Sequence, residues 1–224
     1  MIEKFSFELQ FNYIIYTFNS NYHKDKQGHM NGWRRQSPLH EVTGASPTDP
    51  ALLRELPHCG KLVFQSRGEI ETVREAFVQA VGQELPVEPN TSTDVDHRVL
   101  WLSQRKWLIV LDPEMLRDTH RRLKEALMSQ RCLVSDVSDG RIVLEVAGDR
   151  ARDLLAGVCP LDLNDGHFGP GRCAQSLLVR VPLLLHQVDS RPGYHLYVDR
   201  SFARYAWDWL SDAAIDPAME HQVR

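Results

Sequence analysis

The chain has 224 residues, enough for one sizeable core or two small ones packed together, and 42% apolar with 25% charged residues is the balance of an ordinary folded protein. Twenty-six Lys and Arg against thirty Asp and Glu leave a formal charge of -4, spread along the chain, so there is no basic footprint for a nucleic-acid partner. The four cysteines lack Cys-x-x-Cys spacing and are expected to be reduced, and no apolar run reaches the ~20 residues of a membrane span, so a cytoplasmic protein without a membrane partner is expected.

Residues 1 to 29 are rich in Asn, Tyr, Phe and Lys, unlike the Leu, Val, Ala, Arg and Asp of the remainder. Two readings stand: Met30 is the natural start, or Phe5, Phe7, Leu9 and Phe11 alternate as a strand in a genuine arm. From Asn31 to about Pro50 the chain is polar, with Ser37-Pro38 and Ser46-Pro47, so residues 1 to 50 are expected to form an extension and linker. A single domain is expected over residues 51 to 216, followed by a tail from 217 to 224.

Lys61 to Gln65 reads as a short strand, and Ser66 with Glu69 predicts a capping box. In the helix that follows, Ile70, Val73, Phe77 and Val81 share one face and Gly82 ends it. Arg98 to Leu102 and Trp107 to Leu111 predict a hairpin. Asp112-Pro113 then opens a helix carrying Leu116, Leu123 and Leu127 on one side. Cys132 to Val137 and Ile142 to Val146 flank Asp139-Gly140, which predicts a tight turn between paired strands. The order is βαββαβ, the split arrangement of a ferredoxin-like unit. A second unit is expected from Ile142 onward: a helix over Asp149 to Gly157, a meander through Gln175 to Val181, Leu183 to Val188 and Tyr194 to Val198, and a last helix from Ser201 to Ala213. The expected class is α+β, two βαββαβ-type units packed as one body.

Candidate chemistry is sparse. None of the ten histidines stands in His-x-His or His-Glu-x-x-His spacing, and His58 beside Cys59 lacks a second pair to complete a metal site. Gly166 to Gly171 resembles a phosphate loop, yet it precedes a strand and contains Pro170, which has no N–H, so a structural loop is expected. Asp136 and Asp139 bracket a turn, where turn chemistry and solvent exposure account for both. No catalytic, cofactor-binding or metal-ligating residue is expected.

In the last helix Phe202, Tyr205, Ala206, Trp209, Leu210 and Ala213 recur at the spacing of one buried face. Trp207 then points to the polar side with Arg204, Asp208 and Ser211. It either lies flat over its neighbours or is a partner-facing anchor, a role in which Trp is favoured.

Four segments carry a family resemblance: Asp136-Val137-Ser138-Asp139-Gly140-Arg141, Cys159-Pro160-Leu161-Asp162-Leu163, Pro170-Gly171-Arg172-Cys173-Ala174-Gln175, and the long run from His195-Leu196-Tyr197 through Trp207-Asp208-Trp209-Leu210. Together they resemble the gamma subunit of heterotetrameric sarcosine oxidase, over roughly residues 60 to 214. The resemblance implies the fold of the folate-binding aminomethyltransferase superfamily. It implies an assembly component, non-catalytic alone, of a complex that oxidises sarcosine to glycine with hydrogen peroxide and methylenetetrahydrofolate. Alpha, beta and delta subunits are the implied partners, and FAD, FMN, NAD, tetrahydrofolate and zinc belong to them. A free-standing folate-dependent one-carbon transferase and a ligand-binding or regulatory module of the same fold are the alternatives.

Overall fold

The computed structural model describes residues 36–42 and 52–215. The alternation of Phe5 to Phe11 and the tail from 217 to 224 lie outside the described residues. Leu39, expected in a linker, is fully buried in the core. Val42 packs against the same cluster and its N–H closes a turn on the Leu39 carbonyl. A polar composition around one leucine concealed this anchor.

Among the described residues ten strands and four helices follow. β1 (Leu53–Glu55), β2 (Gly60–Ser66), α1 (Ile70–Val81), β3 (Ser92–Asp94), β4 (Arg98–Ser103), β5 (Lys106–Leu111), α2 (Leu116–Ala126) and β6 (Cys132–Asp136) lead into β7 (Arg141–Ala147), α3 (Ala151–Ala156), β8 (Cys173–Leu178), β9 (Val181–Asp189) and β10 (Gly193–Asp199), and a 3-10 turn, Arg200–Phe202, precedes α4 (Ala203–Ile215).

The strands form two antiparallel sheets, ordered β3-β4-β5-β2-β6 and β8-β9-β10-β7-β1. Taking β2, β3, β4, β5 and β6 as equivalents of β7, β8, β9, β10 and β1 makes the two orders identical. Both units are therefore ferredoxin-like with one added edge strand, as the element order predicted. The last strand of the second unit, however, is β1, which precedes the first unit in sequence. It pairs with β7 from Leu53↔Val146 to Glu55↔Leu144.

The expected pairing of Cys132–Val137 with Ile142–Val146 does not form. β6 pairs with β2 and β7 with β10 and β1, so the Asp139-Gly140 turn carries the chain from one sheet to the other. The turn is tight, with the Gly140 N–H on the Val137 carbonyl at 3.0 Å. A short-range turn signal holds the turn but cannot say which partners its flanking strands will find.

Elsewhere the local signals hold with shifted ends. Gly82 caps α1 in the left-handed conformation, φ 85°, which glycine adopts without a Cβ clash. The capping box is absent: α1 starts at Ile70 and the Ser66 hydroxyl instead accepts the Gly68 N–H. Asp112 accepts the Glu114 N–H at 2.9 Å, a turn that feeds α2. The β4–β5 hairpin pairs Trp101 with Trp107, and the Trp107 ring stacks on Phe64 at 5.3 Å.

Strand alternation sends side chains to three apolar layers. Phe64, Val99, Trp107 and Ile109 meet Val73 and Phe77 of α1 and Leu123 of α2. Leu144, Leu185, Leu196 and Val198 meet Leu154 of α3 and Leu210 of α4. Between them Leu100, Leu108 and Val110 of one sheet meet Val143, Leu184 and Tyr197 of the other. The body is thus helix, sheet, sheet, helix, with the two sheets face to face.

Candidate functional site

The layer between the sheets becomes polar toward one edge. On β10, Tyr194, Leu196 and Val198 point to the helices, so the strand's period of two sends His195 and Tyr197 to the opposite sheet. His186 of β9 stands directly opposite His195, with the rings edge to face at 6.3 Å.

Arg98 opens β4 and bridges the layer. Its Nε donates to Asp94 at 2.9 Å and its Nη1 lies 3.4 Å from His195 Nδ1. A guanidinium only donates, so His195 Nδ1 accepts and the ring proton sits on Nε2, facing Glu145 at 3.5 Å. Glu145 also pairs with Arg54 of β1. Ser92 gives its proton to the Gly171 carbonyl, so His186 Nε2 donates to the Ser92 hydroxyl at 2.9 Å, and His186 Nδ1 has no partner.

Burial sets the ionisation of this cluster. It lowers His186 to about 3, helped by the positive charges of His195 and Arg98. It lowers His195 to about 4, again with Arg98, while Glu145 pulls the other way. Burial pushes the Glu145 carboxyl up, but the bond and charge of Arg54 outweigh it and hold the group below its usual range. Cys173 on the same layer is raised to about 11 by burial. At neutral pH the layer therefore offers two neutral imidazoles and a protonated thiol, poorly matched to a base or nucleophile working near pH 7.

A cavity of about 350 Å³ opens beside this network, among the β1–β2 connection, the β3–β4 turn and the end of β5. Arg98, His195 and Tyr197 line it together with His58 and Cys59. The Tyr197 hydroxyl, buried with no hydrogen-bond partner, is raised by desolvation and senses Arg98, Cys59 and Asp94. Those three residues also line the cavity, while the hydroxyl itself presents almost no surface to it.

Of the candidates singled out from sequence, His58 and Cys59 line the cavity and the others lie elsewhere or face another way. Asp136 accepts the N–H and hydroxyl of Ser138, a turn role. The Gly166–Gly171 segment is a connection whose Gly171 has φ 77° and donates its N–H to Gln187. Among the described residues no group of three or more His, Cys, Asp or Glu could hold a metal, and no helix is long and apolar enough to cross a membrane.

Trp207 is reversed. It is 4% exposed, inside the core with Ala203, Ala206, Leu210, Ala213 and Ala214, whereas Trp209 is 37% exposed and packs beside Tyr205 with ring centroids 6.2 Å apart. The four alanines let α4 lie close to its sheet, and Trp207 fills the space they leave. The inward face keeps Ala206, Leu210 and Ala213 as expected but is rotated to take in Trp207, which leaves Trp209 at its edge.

Sequence reading passed over Arg98, His186, His195 and Tyr197. A weak signal was present: His195 and Tyr197 alternate with Leu196 and Val198 along β10.

Residues 69–216 match the model of the sarcosine oxidase gamma subunit family. The sarcosine oxidase subunit gamma of Corynebacterium sp. (strain U-96) is 32% identical over 116 residues, 51% of this chain and 55% of that one, so the chain spans little more than half of that relative. That of Corynebacterium sp. (strain P-1) is 31% identical over 147 residues, 65% of this chain and 71% of the other. A chain of the heterotetrameric sarcosine oxidase from Corynebacterium sp. U-96, in complex with pyrrole 2-carboxylate, superposes with a TM-score of 0.71 at 27% identity, covering 80% of this chain and 94% of that one. The glycine cleavage system aminomethyltransferase T from Bartonella henselae shares the fold at 14% identity and a TM-score of 0.51, over 70% of this chain and 44% of that one. Because the family model takes in more than half of the sequence, and its residues span α1 to α4, the chain belongs to the sarcosine oxidase gamma subunit family.

Proposed function

We propose that the chain is the gamma subunit of a cytoplasmic heterotetrameric sarcosine oxidase, an assembly component beside alpha, beta and delta subunits. The complex uses dioxygen and tetrahydrofolate to convert sarcosine to glycine, releasing hydrogen peroxide and methylenetetrahydrofolate, and FAD, FMN, NAD, tetrahydrofolate and zinc reside in the other subunits. The observation that carries this reading is the superposition, at a TM-score of 0.71, on 94% of a chain from such an enzyme. The ionisation of the inter-sheet layer supports a non-catalytic role, since His186 at about 3 and His195 at about 4 are weak bases at neutral pH.

Co-expression with candidate alpha, beta and delta subunits tests the reading. The chain is expected to elute with them as one complex, and its omission to lower the yield of assembled oxidase. Elution apart from a complete three-subunit oxidase, or one-carbon transfer to tetrahydrofolate by the chain alone, overturns it.

A further inference from the structure

One end of the β3-β4-β5-β2-β6 sheet gathers four cations. The Ser66 N–H donates to the Arg105 carbonyl at 3.0 Å and the Arg67 N–H to the Arg131 carbonyl at 2.8 Å, so the β4–β5 turn, the end of β2 and the loop from α2 to β6 meet there. The Arg105 guanidinium donates to the Gly68 carbonyl, and Gln130 closes the junction, since a Cβ on Gly68 would lie 3.1 Å from its Oε1. Arg67, Arg105, Lys106 and Arg131 are all exposed, and none of them forms an ion pair with a described residue, Glu69 included. Elsewhere arginines are answered by carboxylates, as Arg54 is by Glu145, Arg121 by Asp118 and Glu125, and Arg204 by Asp208.

On a chain of formal charge -4 this cluster is a local reversal of sign. Cations tethered to adjoining backbone repel one another over the ~8 Å that charge reaches at physiological salt, and no described carboxylate relieves them. An acidic occupant would. Apolar surface lies among the cations: Met128 and Leu133, 85% and 60% exposed, bracket Arg131 in sequence. Phe64, Trp107 and Val134 point to the helices, so the strand period of two turns Gln65, Lys106 and Leu133 to the opposite face, where the register sets Gln65 between the other two. Apolar contacts with an arginine-rich rim are the anatomy of a protein interface, and a nucleic-acid backbone would have no use for them.

We propose that this end of the sheet is a face by which the chain docks on the other oxidase subunits, its occupant an acidic segment of a partner subunit that sets carboxylates against Arg67, Lys106 and Arg131 and an apolar side chain against Leu133. The inference rests on the assembly role proposed above and adds to it the surface and the chemistry of the contact.

Capture of co-expressed alpha, beta and delta subunits by the full chain tests it. Three variants are compared with wild type: Arg67→Glu combined with Arg131→Glu, Leu133→Ser alone, and Arg191→Glu, an exposed cation of the β9–β10 turn, as control. All three alter exposed side chains and are expected to melt as wild type does. The double charge reversal is expected to weaken capture by about tenfold or more and to flatten its dependence on salt, because like charges then meet across the contact. Leu133→Ser is expected to weaken capture about fivefold without changing the salt dependence, the loss of one apolar contact, and it carries the test should the double reversal fail to fold. Arg191→Glu is expected to change nothing. Wild-type capture by the folded double reversal, or by Leu133→Ser, overturns the proposal and leaves the assembly role standing, whereas no capture by the wild-type chain overturns both. A duplex oligonucleotide that the free chain binds, and that the double reversal releases, would assign the cluster to nucleic acid and overturn the proposal as well.

Discussion

Replacing Trp207 with alanine empties space at the middle of the α4–sheet contact, where the side chain is buried beside Ala203, Ala206 and Leu210. The expected cost is about 3–5 kcal/mol, comparable to the whole stability of a modest domain. Trp209→Ala removes a ring that is partly in solvent and packs beside Tyr205, so it is expected to cost about 1 kcal/mol or less. Urea denaturation of the two variants compares them directly, and equal losses would contradict the helix facing described above. The reversal relative to the sequence expectation has a physical cause. A large apolar side chain gains most from burial, but a helix can bury it only where neighbours are small enough to let the backbone approach, and four alanines flank Trp207.

Among the elements, two local devices hold the body around the cavity. The first is Gln83, whose amide makes four bonds to Thr93, Asp96 and His97 across the β3–β4 turn. Gln83→Ala strips buried backbone groups of their partners and is expected to cost about 2 kcal/mol, with faster amide hydrogen exchange at Asp96 and His97 as the local signature. Unchanged exchange at those two amides would show that the turn holds itself. The second is β1, three residues long yet completing the second sheet on β7, with Leu53 buried in the core. Leu53→Asp places a charge there and is expected to destabilise by about 3 kcal/mol or more, read as a lowered urea midpoint. In a chain reading, β1 is a tripeptide of no distinction. Its importance comes from the partner it meets, about ninety residues later in sequence, which no local window contains.

At the scale of the molecule, the buried histidine pair links stability to pH. His186 and His195 stay neutral in the folded protein down to about 3 and 4, whereas in the unfolded chain each takes up a proton near 6.5. Below 6.5 the unfolded state therefore binds more protons than the folded one, so stability falls as pH falls and is fully present only above that value. Each histidine contributes about 1.4 kcal/mol per pH unit well inside the window. Glu145, held below its usual range, adds a loss of the same sign at lower pH. Urea midpoints measured across this window are expected to drop steadily toward acid, and His186→Gln, which cannot charge, to flatten the slope. A midpoint independent of pH would mean that the pair is solvated.

The sequence by itself determined most of the local structure: the hairpin at Trp101 and Trp107, the glycine cap of α1, the strand runs of β9 and β10, and the order of elements that makes each unit ferredoxin-like. These follow from periodicity, chirality and turn chemistry, which act over a few residues. Family membership was legible too, because its motifs are runs of adjacent residues. Only the tertiary structure decided which sheet β6 and β7 would each join, that β1 closes the second unit, how the inward face of α4 is rotated, and that Arg98, His186, His195 and Tyr197 gather in one layer. Those outcomes depend on contacts between segments far apart in sequence, where burial, register and the packing of small against large side chains select among partners that local propensity leaves equal.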